Sequence, residues 1–164
     1  MAAKGFSFDI VSKVDITELD NALNQARREI DNRFDFKGTG TRIESGKSTV
    51  AVFSSDEFHL KAAIEVLETR AVRRGLDLKA IAWGPVVPGP KGSVKREARI
   101  IEGIDQDTAR AINRFIRKLD KRVNVAVQQE QIRVTSKSKD SLQGIIKAVR
   151  EHDFGIPLQF TNYR

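Results

Sequence analysis

Apolar residues recur with two different spacings along the chain, and the places where the spacing changes predict its elements. Alternation of apolar and polar residues predicts strands, whereas apolar residues three or four positions apart predict helices. The predicted elements of the first half are, in order, a strand at 6–11, a helix at 19–30, strands at 33–38 and 49–53, a helix at 60–71 and a strand at 78–83. This half therefore has the order βαββαβ.

The second half of the chain repeats that order. Its predicted elements are a strand at 94–101, a helix at 109–119, strands at 123–128 and 131–135, a helix at 142–149 and a strand at 158–160. A βαββαβ unit forms an antiparallel sheet with its helices on one face. We therefore predict an α+β protein of two ferredoxin-like units. Because their first strands look alike, the N-terminal strands can be exchanged between the units.

A segment rich in proline and glycine separates the two halves. Residues 84–92 contain three of the four prolines. Proline fixes φ and removes a backbone donor, so this composition indicates a connector rather than a strand or helix. The predicted organisation is a first repeat at 1–83, a connector at 84–92 and a second, basic repeat at 93–164.

Aromatic and acidic residues in the first repeat allow a prediction of which faces are buried. The phenylalanines at alternating positions are Phe6, Phe8, Phe34 and Phe36. Since a periodic apolar face normally packs inward, we expect these rings to fill the core against the helices. Asp9 and Asp35 have basic neighbours along the chain or across the sheet, so a charge ladder between strands is expected rather than a catalytic pair.

The composition excludes several classes of protein. The chain has 164 residues, of which 40% are hydrophobic and 31% charged, and it has no cysteine. Disulfides, thiolate metal sites and cysteine nucleophiles are therefore excluded. The first residues lack the apolar stretch of a signal peptide, and no apolar run approaches the ~18 residues needed to cross a membrane. We expect a cytoplasmic protein that does not bind membranes.

The charge is concentrated in the second half of the chain. Residues 1–90 contain 13 Lys/Arg and 13 Asp/Glu, whereas residues 91–164 contain 16 and 9. The whole net charge of +7 therefore lies after residue 90. An excess of this kind favours an anionic partner such as a nucleotide or a nucleic acid, although basic residues can also serve solubility alone.

The sequence contains few residues in arrangements that support catalysis. His59 and His152 fall on helices of different repeats, and neither has the spacing of a metal ligand to another His. No phosphate-binding Walker loop, dinucleotide-binding glycine motif or serine-nucleophile motif occurs. We predict a binding protein rather than an enzyme, with no metal and no cofactor.

The strongest local anion site is a turn in the second repeat. Residues 133–139 (RVTSKSK) run from a strand into a helix N-terminus, where free amides, hydroxyls and ammonium groups converge. The equivalent turn of the first repeat, residues 54–57 (SSDE), carries carboxylates instead. The predicted nucleotide-binding residues are Arg133, Ser136, Lys137, Ser138 and Lys139, completed by the C-terminal Tyr163 and Arg164.

A basic helix offers an alternative anion site. Four cations follow the face of the helix at 109–119 that lies opposite its apolar stripe, namely Arg110, Arg114, Arg117 and Lys121. Such a stripe can follow a phosphate backbone. A solvated outer face explains the same pattern, because an amphipathic helix must present polar residues to water.

Several segments resemble the YajQ family of bacterial nucleotide-binding proteins in content, order and spacing. The matching segments are residues 7–12 (SFDIVS), 33–38 (RFDFKG), 136–143 (SKSKDSLQ) and 157–164 (PLQFTNYR). The resemblance covers essentially the whole chain. It implies a cytoplasmic bacterial protein of two ferredoxin-like domains without catalytic activity, some of whose relatives are cyclic di-GMP effectors and others of which bind RNA or nucleotides.

The residues and the resemblance together lead to a functional expectation. We expect a nucleotide-binding protein that takes a cyclic dinucleotide such as cyclic di-GMP as a signalling effector, with GTP or ATP as other candidate ligands. The alternative is an RNA-binding accessory protein that uses its basic second half. RNA or a regulatory protein is the further partner that the charge allows.

Overall fold

A computed structural model of the chain describes residues 5–164; the first four residues, which begin the predicted first repeat, lie outside the described residues. The described part forms eight strands and four α-helices. The strands are β1 (Phe6–Val11), β2 (Arg42–Ser45), β3 (Thr49–Ser54), β4 (Ile81–Pro88), β5 (Val94–Ile100), β6 (Asn124–Gln128), β7 (Gln131–Ser136) and β8 (Gln159–Thr161). The helices are α1 (Ile16–Asn32), α2 (Glu57–Arg73), α3 (Gln106–Leu119) and α4 (Lys139–Glu151).

One compact unit, which we call the terminal unit, joins the start of the chain to its end. Of the described residues, it comprises 5–13 together with 102–164. Its sheet has the strand order β6-β7-β1-β8, and every pairing is antiparallel. Phe8 and Ile10 of β1 are fully buried in one core with Ile112 of α3 and Ile145 of α4. The N-terminal strand is therefore central to a unit built from the C-terminal residues.

The other compact unit, the central unit, comprises residues 14–101. Its antiparallel sheet has the order β2-β3-β5-β4, and helices α1 and α2 share its core. Here β5 occupies the middle position that a first strand takes in a ferredoxin-like unit. The two ferredoxin-like units predicted from the sequence are confirmed. The exchange of their first strands, which the sequence left open as a possibility, is present in the structure.

The boundaries of the units differ from the predicted split into 1–83, 84–92 and 93–164. Most of the expected connector is strand, because β4 extends to Pro88 and pairs with β5 through a hairpin. A register shift between Trp83 and Val86 interrupts the pairing. The prolines are tolerated because β4 lies at the edge of its sheet, where a missing N–H need not break a ladder bond.

The predicted strand at residues 33–38 is wrong. Phe34–Phe36 form a single 3-10 turn, and the strand that follows α1 is β2, at Arg42–Ser45. The backbone N–H of Arg33 donates to Glu29 and closes α1, while its guanidinium binds Asp35 at 2.7–3.0 Å. A strand would place Phe34 and Phe36 on one face, whereas a 3-10 turn points them in different directions. The alternation of aromatic residues therefore indicated the wrong element.

The expectation that four phenylalanines fill the core is therefore half correct. Phe8 and Phe36 are buried, whereas Phe6 is 40% exposed and Phe34 is 84% exposed. Asp35 lies in the 3-10 turn of the central unit and Asp9 in β1 of the terminal unit, so the two carboxylates are not on adjacent strands. Each has a basic neighbour as expected: Asp9 bonds Arg133 across the sheet, and Asp35 bonds Arg33 along the chain. Within residues 5–164, no helix is long and apolar enough to cross a membrane.

Candidate functional site

The turn between β7 and α4 has the local structure that its sequence predicts. Ser138 is the N-cap of α4, and its hydroxyl accepts a hydrogen bond from the N–H of Ser141 at 3.2 Å. The hydroxyl of Ser136, which is buried, accepts from the N–H of Ser138 at 3.1 Å. Lys137 and Lys139 are exposed on either side of this cap. The serines therefore hold the turn, and the two lysines face solvent.

Strand β1 brings the C-terminal residues to the same end of the sheet as this turn. Phe6 pairs with Ser136 of β7. On the other side of β1, Ser7 and Arg164 exchange two backbone hydrogen bonds of 3.1 and 2.9 Å. Tyr163 is 58% exposed, with its ring centroid 6.4 Å from that of Phe8. We call this end of the sheet, made of residues 136–139, 163 and 164, the rim.

Gly5 marks a close approach of backbones at the rim. A Cβ at this position would lie 2.8 Å from the carbonyl oxygen of Ser136 and 3.7 Å from the Cα of Lys137. No real Cβ contact is that short, so the start of β1 can approach the turn only because residue 5 has no side chain. The geometry of the rim thus depends on a residue outside the predicted site.

Arg133 has a partner inside the sheet. Its Nε and Nη2 donate to the carboxylate of Asp9 at 2.9 and 3.3 Å, and Asn162 Nδ2 donates to the same carboxylate at 2.8 Å. These bonds, led by those of Arg133, hold the pKa of Asp9 below its ordinary value, although burial opposes them; the charge of Arg164 acts in the same direction. Arg133 therefore stabilises a carboxylate that is 1% exposed, and its two bonded donors are not directed at a ligand.

The alternative basic stripe is exposed, but it is shorter than predicted. Arg110, Arg114 and Arg117 lie on the outer face of α3, which ends at Leu119. Lys121 lies beyond the helix, in the turn before β6. Arg117 Nε donates to Asn113 at 2.8 Å, and Arg110 lies 3.4 Å from Asp107. Three arginines of the stripe thus share one helix face, and the fourth residue does not.

A cavity of about 760 Å³ in the central unit was not found from the sequence. Its wall includes Arg42 of β2 and Phe53 of β3, which are directly opposed; the guanidinium carbon of Arg42 lies 4.0 Å from the centroid of the Phe53 ring. Lys91 and Lys95 line the same space from the β4–β5 hairpin. None of the described residues that line this cavity is an Asp or a Glu.

The exchange of strands explains why this basic cavity was missed. Residues 91–101 lie in the charged second half of the sequence, but they fold into the central unit. Counted by unit, residues 14–101 contain 15 Lys/Arg and 13 Asp/Glu, and the remainder of the chain contains 14 and 9.

The alternation of Phe53 with the buried Val50 and Val52 places its ring on the opposite face of β3. That signal was present in the sequence; the pairing with Arg42 was not.

The histidines lie where a structural role explains them. His59 is in the first turn of α2, and its Nδ1 is 2.8–2.9 Å from the carboxylate of Asp56, the N-cap. The backbone and side-chain bonds from His59 lower the pKa of Asp56. His152 packs against Phe115 and Phe154. No group of three or more His, Asp or Glu in residues 5–164 is placed to hold a metal ion.

Comparison with known proteins places this chain in a class of nucleotide-binding proteins. A family model described as "Nucleotide-binding protein YajQ-like" matches residues 6–164. The chain is 41% identical over 161 residues to a protein of Chloroherpeton thalassium named "Nucleotide-binding protein", covering 97% of this chain and 98% of the relative. It is 43% identical over 162 residues to proteins of that name from Desulfitobacterium hafniense and Bacillus cereus, with 99% of each chain covered. The chain belongs to the YajQ family.

Proposed function

We propose that this protein binds a nucleotide without transforming it, and that its ligand is a cyclic dinucleotide such as cyclic di-GMP acting as a signal. The observation that carries the proposal is the meeting of Ser136 and Arg164 on either side of β1. Segments that are far apart in the sequence thereby form one basic end of a sheet. The relatives that match this chain over nearly their whole length are named nucleotide-binding proteins, and these names support the ligand class.

The phosphate of the ligand is expected at the rim. Lys137 and Lys139 are exposed beside the N-terminus of α4, where helix amides favour an anion. Arg164 follows Tyr163, whose half-exposed ring can contact a base. Asp140, in the first turn of the helix, opposes an anion, so we expect the ligand to approach from the side of Lys137 and Arg164.

Binding without catalysis is supported by the state of the groups that chemistry would need. The carboxylate of Asp9 is bonded to Arg133 and Asn162, and His59 is bonded to the cap of its own helix. A general base must reach the proton that it takes. The rim, as described, contains no nucleophile paired with a base. Turnover of GTP, ATP or cyclic dinucleotides by the purified protein would contradict the proposal.

RNA binding is the second candidate function, because the arginines of α3 form an exposed row. Arg110, Arg114 and Arg117 share one face of that helix. A protein that follows a phosphate backbone makes many ionic contacts, and its affinity therefore falls steeply with salt. A cyclic dinucleotide carries two phosphates, so its binding must depend less strongly on salt.

The experiment compares two double variants by fluorescence anisotropy with labelled cyclic di-GMP. Since charge-assisted bonds to phosphate contribute about 1.5–3 kcal/mol each, loss of one lysine is expected to weaken binding roughly ten- to a hundredfold, and Lys137→Ala with Lys139→Ala is expected to weaken it by at least that factor. The matched control, Arg110→Ala with Arg114→Ala, removes two charges from α3 and is expected to bind normally. Normal binding by the first variant and loss of binding by the second would place the ligand on the helix and contradict the rim.

Titration of a transfer RNA at two salt concentrations separates the two functions. The proposal expects tighter binding of the cyclic dinucleotide with a shallow dependence on salt. Tight RNA binding with a steep dependence, lost in the α3 variant, would instead support the RNA-binding function.

A further inference from the structure

The cavity of the central unit combines an aromatic-cationic wall with an excess of positive charge. The guanidinium of Arg42 lies over the ring of Phe53, and its Nε also donates to Glu44 at 3.1 Å. These two contacts fix the side chain although it is more than half exposed. An arginine held in this way offers a flat, charged surface on which an aromatic base can stack.

Cations and a glycine-containing turn surround this surface. Lys91 and Lys95 line the cavity on the hairpin side, together with Ser93. On the other side, Gly38 and Gly40 have φ values of +74° and +62°, and Thr39 between them is buried. The hydroxyl of Thr39 bonds both the carbonyl of Phe36 and the hydroxyl of Thr41 at 2.6 Å, so the turn is fixed from below.

The chemistry of the cavity specifies the class of ligand. Its described lining residues include three cations and no carboxylate, which favours an anion. The apolar side chains of Phe53, Val87 and Pro88 favour a flat apolar group beside that anion. The volume lies within the range of ligand pockets, roughly 300–1,000 Å³. A small inorganic anion would leave the stacking surface unused.

We propose that this cavity is a second nucleotide site, which binds a purine nucleoside monophosphate. The base stacks on Arg42 above Phe53, and the phosphate lies against Lys91 and Lys95. The site shares the ligand class of the proposed function, but it involves none of the rim residues. It lies wholly within residues 38–95 of the central unit, so each site can fail without the other.

The test is an isothermal titration with guanosine 5′-monophosphate, with guanosine and inorganic phosphate as separate probes. Lys95→Ala is expected to weaken binding of the monophosphate about tenfold, as loss of one charge-assisted contact does. Arg99→Ala is the matched control: Arg99 lies four residues further along β5, on the same face, but does not line the cavity. This control is expected to bind like the wild type.

Two further variants test stacking rather than charge. Arg42→Lys keeps the charge and removes the planar group, and Phe53→Leu keeps an apolar side chain and removes the ring. Each variant is expected to weaken binding of the monophosphate and of guanosine about three- to tenfold, with little effect on binding of inorganic phosphate. Thermal unfolding of each variant verifies its fold. Because Arg42 is exposed, Arg42→Lys is expected to fold, and it still tests stacking if Phe53→Leu does not fold.

The outcomes separate this proposal from the rim. Binding that is weakened by Lys95→Ala and Arg42→Lys, and unchanged in the Lys137→Ala, Lys139→Ala double variant, supports the cavity. Binding that is unchanged in both cavity variants overturns the cavity and leaves the rim intact. Equal binding of the monophosphate and inorganic phosphate overturns the stacking part, and absence of monophosphate binding by the wild type overturns the second site altogether.

Discussion

The rim of the terminal unit and the cavity of the central unit are both basic, but they use their charges differently. At the rim, Arg133 is bonded to the buried Asp9, and the hydroxyls of Ser136 and Ser138 accept bonds from the turn itself. In the cavity, Lys91 and Lys95 border open space beside the Arg42–Phe53 pair. A count of charges along the sequence favours the rim as the anion site, whereas the cavity is found only from the geometry of the fold.

The comparison also shows what strand exchange does to a charge pattern. Each site depends on a strand that the order of the chain would assign elsewhere: β1 places Phe6 and Ser7 at the rim, and β5 carries Lys95 into the central unit. Regions of sequence and regions of structure therefore differ in composition.

Phe36 and Phe34 provide the sharpest test of the 3-10 turn that precedes the glycine side of the cavity. Phe36 is 4% exposed, and its carbonyl accepts from both the N–H and the hydroxyl of Thr39. Phe36→Ala is expected to lower the free energy of unfolding by about 3–5 kcal/mol, through lost burial and a cavity in the core. Phe34→Ala, at a position 84% exposed, is expected to change it by less than about 0.5 kcal/mol. Equal effects in urea denaturation would contradict the 3-10 turn.

Asp9 stabilises the terminal unit through buried hydrogen bonds. Asp9→Ala removes a buried carboxylate and leaves Arg133 and Asn162 without their shared acceptor. The expected loss of unfolding free energy is about 2–3 kcal/mol, reduced from the value for a fully buried pair because Arg133 is partly exposed. The control is Glu151→Ala, at an exposed position at the end of α4. A loss no larger than that of the control would contradict the role given to Asp9.

The same carboxylate predicts a pH dependence. Hydrogen bonds from Arg133 and Asn162 hold the pKa of Asp9 below its ordinary value of 3.8, against the effect of burial. A lowered pKa in the folded state means that the ionised group stabilises the fold at pH values above 3.8, and that this contribution is lost as the pH falls further through the folded pKa. The difference in stability between wild type and Asp9→Ala is thus expected to shrink below pH 3.8. A difference that grows with acidity has the wrong sign.

Two glycine-to-alanine changes test the close approach at the rim. Gly5→Ala brings a Cβ within 2.8 Å of the Ser136 carbonyl and is expected to cost about 1–2 kcal/mol. Gly144→Ala, within α4, meets nothing within 4 Å and is expected to stabilise the protein by about 0.5–1 kcal/mol. The prediction is a difference in sign, measured by thermal unfolding. Stabilisation by both changes would show that β1 does not approach the turn as described.

The sequence was sufficient where a local rule decides the structure. Ser138 begins α4 because its hydroxyl caps the helix, and the buried faces of Phe8, Ile10 and Ile132 follow from period-two alternation. It was insufficient at residues 33–38, where the alternation of Phe34 and Phe36 is typical of a strand but the backbone closes a 3-10 turn. It was also insufficient for Lys95, because the position of β5 between β3 and β4 depends on pairing over long distances.

The most direct test of the two-site account is a two-dimensional ¹H–¹⁵N NMR titration of the full chain with cyclic di-GMP and then guanosine 5′-monophosphate. The account predicts that the dinucleotide first shifts amide signals of the rim, around residues 136–139 and 163–164. The monophosphate is expected to shift signals around residues 38–42, 53–55 and 91–95. Shifts confined to α3, or no shifts with either nucleotide, would contradict the central claim that the exchanged strands build two nucleotide sites.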